Sequence, residues 1–192
     1  MPENSIADDR AIGATDLVKV FPGRGRKPGV RALDGLAFSV PAGRVFGLLG
    51  PNGAGKSTTT KILTTLSRPT SGTAVVAGHD VTTDPASVRA AIGYVSQGAS
   101  TDPLLTAREN LEIAARLRGV APGEARGRAA RLLDEFGLAE ASRRPVGTFS
   151  GGMRRRLDVA AALVHRPRVL FLDEPTTGLD PEARATMWAE IR

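Results

Sequence analysis

Apolar positions broken by polar ones make Thr15–Phe21 and Ala32–Val40 β-like runs, and each predicts a strand. Between them lies PGRGRKPGV, which its Gly and Pro residues mark as a turn or excursion. Pro41-Ala42-Gly43 predicts a tight turn. The short apolar run Arg44–Leu49 predicts a strand covered on both faces. GPNGAGKST then leads into a helical pattern over Lys56–Leu66, closed by Pro69. A hairpin-like region covers Thr73–Asp80, Asp84-Pro85 opens a short helix, and Ile92–Ser96 is the next strand. Residues 1–13 are polar and lack periodicity, which predicts a loose lead-in.

From Gly98 to Arg144 the β-branched runs vanish and helical spacing takes over. Thr106 with Glu109 three residues later forms a capping-box pattern and predicts a helix to about Arg118. Pro122 opens a second helix, which carries Leu132, Leu133 and Phe136 toward a core and stops at Gly137. This stretch predicts a helical insertion, with subdomain bounds at 98–165. Ser150-Gly151-Gly152 starts a third helix, through Ala162. After the Arg166-Pro167 break, Val169–Leu172 predicts a buried strand ending at Asp173-Glu174-Pro175. Pro181 starts a last helix.

Composition narrows the class without naming a function. The chain has 192 residues, 41% hydrophobic and 24% charged, which is ordinary for a globular domain large enough to bury a core. No run approaches 18 apolar residues, so the sequence predicts no membrane-spanning helix. The first twenty residues hold acidic side chains and no apolar block, unlike a secretory leader. With no cysteine, disulfides and thiolate metal sites are excluded. A cytoplasmic address fits this set. The net charge of +6 and pI near 10.6 raise the question of a nucleic-acid or anionic-membrane partner. Yet the basic residues are mostly scattered arginines, dense only at Arg24-Arg26-Lys27 and Arg154-Arg155-Arg156. No nucleic-acid partner is expected.

Gly50-Pro51-Asn52-Gly53-Ala54-Gly55-Lys56-Ser57 fits G-x-x-x-x-G-K-[ST] between a predicted strand and a predicted helix. Glycines let the backbone turn successive N–H groups toward phosphate oxygens. The positive end of the following helix points at the same place, an effect of roughly 0.3–2 kcal/mol. Lys56 is placed to hold β- and γ-phosphates, and the Ser57 hydroxyl to ligate Mg²⁺. This motif names a nucleotide and not a job, because kinases, GTPases, recombinases and pumps all use it.

A metal on Ser57 calls for a carboxylate at the end of a neighbouring strand. Asp173 follows four apolar residues and meets that need. Glu174, next in the chain, is suited to orient and deprotonate an attacking water. The plain alternative is an acidic pair capping a helix before Pro175. Ser150 is likewise a good N-cap, and the two glycines after it expose N–H groups at a helix's positive end, a second anion site. Simple capping remains the other reading of Ser150. Arg154–Arg156, on the first turns of that helix, are expected to add to the field around the phosphates. His79 and His165 have no partners at ligand spacing and are expected to be structural or exposed.

Together, GPNGAGKS, Gln97, Phe149-Ser150-Gly151-Gly152-Met153, Asp173-Glu174 and Gly178-Leu179-Asp180 resemble the nucleotide-binding subunits of ABC transporters, over about residues 14–192. Among these the chain most resembles the daunorubicin/doxorubicin-resistance type of drug-export ATPase. The resemblance implies an α/β P-loop NTPase fold with a mainly parallel sheet, an N-terminal antiparallel β subdomain and an inserted helical subdomain. It implies ATP and Mg²⁺ as ligands, with ATP on Gly50, Pro51, Asn52, Gly53, Ala54, Gly55, Lys56, Ser57 and Thr58. Phe21 stands where the family stacks an aromatic on adenine, although a lone aromatic after an alternating run is more often a core residue. Gln97 is implied to reach Mg²⁺, with Ser57 and Asp173, and the attacking water, and to link to the permease.

The resemblance also implies that Ser150, Gly151, Gly152 and Met153 bind the γ-phosphate of ATP held by a second ATP-binding subunit, most simply a copy of the same chain. Asp180 is implied at the dimer seam. The implied partner is an ABC-2-type transmembrane permease, and the implied location is the cytoplasmic side of the cell membrane. The implied function is ATP hydrolysis driving export of a drug-like compound, as in antibiotic resistance. A non-transport ABC ATPase acting on ribosomes or DNA is the rival reading. Met153 departs from the glutamine commoner at that place. The family also continues past Asp180 through a helix, a strand and a switch residue, usually histidine. These 192 residues are therefore expected to be an incomplete domain that binds ATP weakly and hydrolyses it poorly.

Overall fold

The computed structural model describes residues 10–23, 25, 28–96, 98 and 100–173. They fall into two compact units, one ending at Ile92 and one starting at Gly93.

In the first unit β1 (Arg10–Phe21) and β2 (Val30–Pro41) make the expected antiparallel hairpin, with Phe21 opposite Val30 and Arg10 opposite Pro41. β3 (Ser71–Val76) pairs with the other edge of β1, and β4 (His79–Asp80) with β3, giving the order β2-β1-β3-β4. β1 thus begins inside the stretch expected to be loose. Ile12 lies opposite Val40 on one side and Val76 on the other, and it is buried. Two ladders and an apolar contact hold a segment whose polarity gave no period. The sheet is irregular at Asp16, whose φ of 48° is left-handed, and the register shifts there against both neighbours, as at a β-bulge.

Helix α1 (Lys56–Leu63) packs on β2 and β3, burying Ile62 and Leu63. It ends before the predicted Leu66. Thr65 turns left-handed at φ 63°, its N–H reaching Ile62 O at 3.0 Å, while Leu66 N–H reaches Lys61 O at 2.8 Å. That pair of bonds is a Schellman stop, built here on threonine instead of glycine. Helix α2 (Pro85–Ala91) opens as predicted, with the Asp84 carboxylate accepting from Ser87 N–H.

Arg44–Leu49 is not a strand. No described strand pairs with it, and Val45, Phe46 and Leu49 are 77%, 51% and 91% exposed. A central parallel strand takes its hydrogen bonds from both neighbours, and the first unit supplies neither. Phe46 instead stacks on Phe38 of β2, with ring centroids 5.6 Å apart.

The second unit sets helices on a strand pair. β5 (Ile92–Val95) and β6 (Val169–Leu172) lie side by side, and Asp173 N–H donates to Val95 O at 2.9 Å. Their C-terminal ends are therefore adjacent and the strands parallel. Helix α3 (Ala107–Leu117) starts at the predicted capping box: Thr106 Oγ1 accepts from Glu109 N–H at 3.2 Å, and Thr106 N–H donates to Glu109 Oε2 at 2.8 Å. Helices α4 (Pro122–Glu135) and α5 (Gly151–Leu163) follow. Val95, Leu111, Leu133, Phe136, Leu157 and Val159 share one buried core, with Leu170 and Leu172 packed against it. The helical subdomain expected at 98–165 lies within this unit. Strand residues fill the same core as the helices, so the compact unit starts at Gly93 and includes β6. Gly93 itself permits this packing, since a Cβ there would meet Ala162 O and Leu170 Cδ1. No helix among the described residues is long and apolar enough to cross a membrane.

Candidate functional site

The loop expected to cradle phosphate is shaped by left-handed glycines. Gly53 has φ 85° and Gly55 φ 84°, angles that only glycine adopts freely. Ala54 N–H donates to Pro51 O at 3.2 Å, closing the turn. Gly55 is the N-cap of α1 and provides no side-chain cap, and the first turn holds no acidic residue. The first N–H groups of a helix have no partner within it, and in α1 neither a side-chain cap nor a first-turn carboxylate meets them. Lys56 reaches back across the loop, its ammonium donating to Gly50 O at 2.7 Å and Pro51 O at 2.8 Å. Two carbonyl oxygens hold the charge where phosphate oxygens are expected. Ser57 is exposed and Thr58 half-buried, while Thr59 is buried and bonds back to Gly55 O at 3.0 Å. The residue expected to ligate Mg²⁺ is therefore open to solvent, and its neighbour two residues on anchors the helix.

Phe21 ends β1 on the surface, 42% exposed, with Lys19 Nζ 5.0 Å from its ring centroid. It is not a core residue.

In the second unit Ser150 caps α5, its Oγ accepting from Met153 N–H at 3.2 Å. Ser150 and Gly151 are exposed, and nothing lies within 4 Å of where a Gly151 Cβ would sit. The cap is real, and its glycine-lined face is open. Asp173 sits at the end of β6, half-buried. Burial pushes the Tyr94 phenol above its ordinary 10.0, and the Asp173 carboxylate pushes it further through its charge and a hydrogen bond. Glu174, Gln97 and Asp180 lie outside the described residues.

The arginine run does not form one phosphate-facing patch. Arg154 is exposed, but Arg156 donates to Phe136 O at 2.9 Å and Arg155 donates to Ser96 O at 2.7 Å and Asp173 O at 3.3 Å. Successive helix residues point about 100° apart, so three adjacent arginines cannot share a face. Tyr94 and the buried Asp158 escaped the sequence analysis, which took Arg155 for a member of a phosphate-facing run and not for a link between strand ends. The only signal for Arg155 was a charge in the first turns of a helix that otherwise turns apolar. His79 is half-buried, and its Nδ1 lies 3.1 Å from Asp84 Oδ2 at the start of α2.

The family model described as ABC transporter matches residues 33–177, from β2 through the Asp173 strand. The chain belongs to the ABC transporter family. It is 55% identical over 183 residues to the daunorubicin/doxorubicin resistance ATP-binding protein DrrA of Streptomyces peucetius, covering 95% of this chain and 54% of that protein. It is 49% identical over 181 residues to the doxorubicin resistance ATP-binding protein DrrA of Mycobacterium tuberculosis, with coverages of 94% and 54%. The chain thus spans about half the length of these curated relatives. The ABC cassette fold is matched by the dimeric ATP-binding cassette MJ0796 in a post-hydrolysis state bound to ADP and Pi. That match has a TM-score of 0.82 at 26% identity and covers 94% of this chain and 81% of the other. The α/β P-loop NTPase architecture expected of an ABC chain follows from this likeness.

Proposed function

We propose that this chain is the ATP-binding and hydrolysing part of an ABC-type exporter of drug-like compounds. The observation that carries the reading is the Gly50–Ser57 loop, with left-handed glycines running into an uncapped helix and Lys56 held across its mouth. The kinship with two drug-resistance ATP-binding proteins favours export over action on ribosomes or DNA. On this reading the Lys56 ammonium exchanges its two carbonyl partners for β- and γ-phosphate oxygens, charge-assisted bonds of about 1.5–3 kcal/mol each. Loop and helix N–H groups bind the remaining oxygens. Phe21 offers its exposed ring to the adenine.

The hydroxyl of Ser57, the carboxylate of Asp173 and the amide oxygen of Gln97 are hard oxygen donors that suit Mg²⁺. The ion would neutralise phosphate charge during transfer. Glu174 takes a proton from water as that water bonds to the γ-phosphorus and the bond to the ADP oxygen breaks. Ser150, Gly151, Gly152 and Met153 bind the γ-phosphate of ATP held by a second copy, as the exposed cap of α5 would allow, and Asp180 lies at the seam. The second copy, an ABC-2-type permease and a position on the cytoplasmic face of the membrane complete the assembly. Lys56→Ala tests the reading. ATP affinity of the natural full-length polypeptide, followed with a fluorescent ATP analogue, should fall at least about a hundredfold with two charge-assisted bonds lost. Unchanged affinity would sink it.

A further inference from the structure

Two side chains of α5 reach out of the helix to neighbouring backbone. Through Nη1 and Nη2 Arg155 spans Ser96 O and Asp173 O, at 2.7 and 3.3 Å, so one guanidinium joins the ends of β5 and β6. Three residues on, Asp158 is only 5% exposed. Its Oδ1 accepts from Ser100 N–H at 3.2 Å, from the Ser100 hydroxyl at 2.7 Å and from the Thr101 hydroxyl at 3.3 Å. Positions three apart lie on one side of a helix. The chain leaving β5 is therefore tied to α5 at Ser96 and again at Ser100–Thr101, while β6 is tied to the same helix at Asp173.

Packing does not need these groups. Leu157, Val159 and Ala160 already bury α5 in the core, and an apolar residue at position 155 would add to that burial. Burial works against the Arg155 charge, and the Asp158 and Asp173 carboxylates offset it. A half-buried guanidinium kept at that cost fits a task of orientation, since its planar fork fixes two acceptors in one geometry.

We propose that Arg155 and Asp158 are positioning residues that lock the Asp173 end of β6, Ser96 at the end of β5, and Ser100–Thr101 to the helix headed by Ser150. Movement of the α5 N-terminus is then passed to Asp173 without slack. This rests on the proposed function, in which Asp173 and Ser150 serve ATP on two different copies.

The test uses the natural full-length polypeptide with two readouts. Amide hydrogen exchange at Ser100 reads the clamp directly and needs no ATP. Asp158→Ala should speed it at least about tenfold, and the shape-preserving Asp158→Asn, the variant to use if alanine prevents folding, about threefold through loss of a charge-assisted bond. Unchanged exchange overturns the proposal. ATP turnover reads the consequence. Arg155→Met should lower kcat about tenfold or more with KM within about threefold, and Arg155→Lys should recover part of the loss. A lower Tm with kcat per folded molecule unchanged means a merely structural arginine and overturns it as well. Failure of the function reading would show separately, as ATP binding that Lys56→Ala leaves intact.

Discussion

Gly55 holds φ at 84°, and a Cβ there would stand 2.6 Å from Ala32 O and against Leu33 Cδ2. Both the angle and the space exclude a side chain. Gly55→Ala should therefore cost about 1–3 kcal/mol of stability through strain at this one position and weaken ATP binding by displacing Lys56. Urea unfolding and nucleotide titration would read the two effects, and a variant as stable as the parent would contradict the geometry. Lys56 shows how much a single side chain depends on its surroundings. Its motif gives its role, but its partners, Gly50 O and Pro51 O, are set by the turn that carries them. Arg155 is the opposite case, a residue in no recognised motif whose two acceptors, each just past the end of a strand, lie 59 and 18 residues away in sequence.

Among the elements, α3 is the one whose start is most fully written in the chain. Thr106 and Glu109 make both bonds of the capping box, so Thr106→Ala should cost about 1 kcal/mol. The same box makes a pH-dependent contribution. Hydrogen bonds from the Thr106 side chain and then its backbone hold the Glu109 carboxyl below its ordinary 4.5. Its folded value is thus depressed, so the contribution is complete above the unfolded value and disappears as pH falls through the folded one. Stability of the parent relative to Glu109→Gln should be level above about pH 5 and converge in stronger acid. Urea midpoints across pH 3–7 would check this, and a difference unaffected by acid would argue against the box. The element that failed is Arg44–Leu49. Its apolar run suits a covered strand, but a strand exists only when a neighbour supplies its hydrogen bonds.

For the whole molecule, the open cap of α5 and the cradle at α1 lie in different compact units of one chain. In the proposed pair, each ATP takes its loop from one copy and its cap from the other, the isologous arrangement of a two-fold dimer. A full-length Lys56→Ala copy and a full-length Gly151→Asp copy should each be inactive alone. Mixed in equal amounts, they should recover about a quarter of parental ATP turnover, since half the dimers are mixed and each has one intact site. No recovery on mixing would show that each chain completes its own site.

The sequence alone determined what depends on neighbours along the chain. The glycine loop, the caps at Asp84, Thr106 and Ser150, and the β1–β2 hairpin are fixed by local backbone preferences and by side-chain bonds across three residues. Those elements stand where the pattern put them, to within a few residues. Tertiary structure decided what depends on segments meeting from afar. It drew Arg10–Gly13 into β1 through ladders to β2 and β3, left Arg44–Leu49 unpaired among the described strands of its own unit, and merged the helices with β5 and β6 in one core. It also split three adjacent arginines among three surroundings. Such contacts are chosen by burial and hydrogen-bond satisfaction between distant parts, and no local periodicity encodes them.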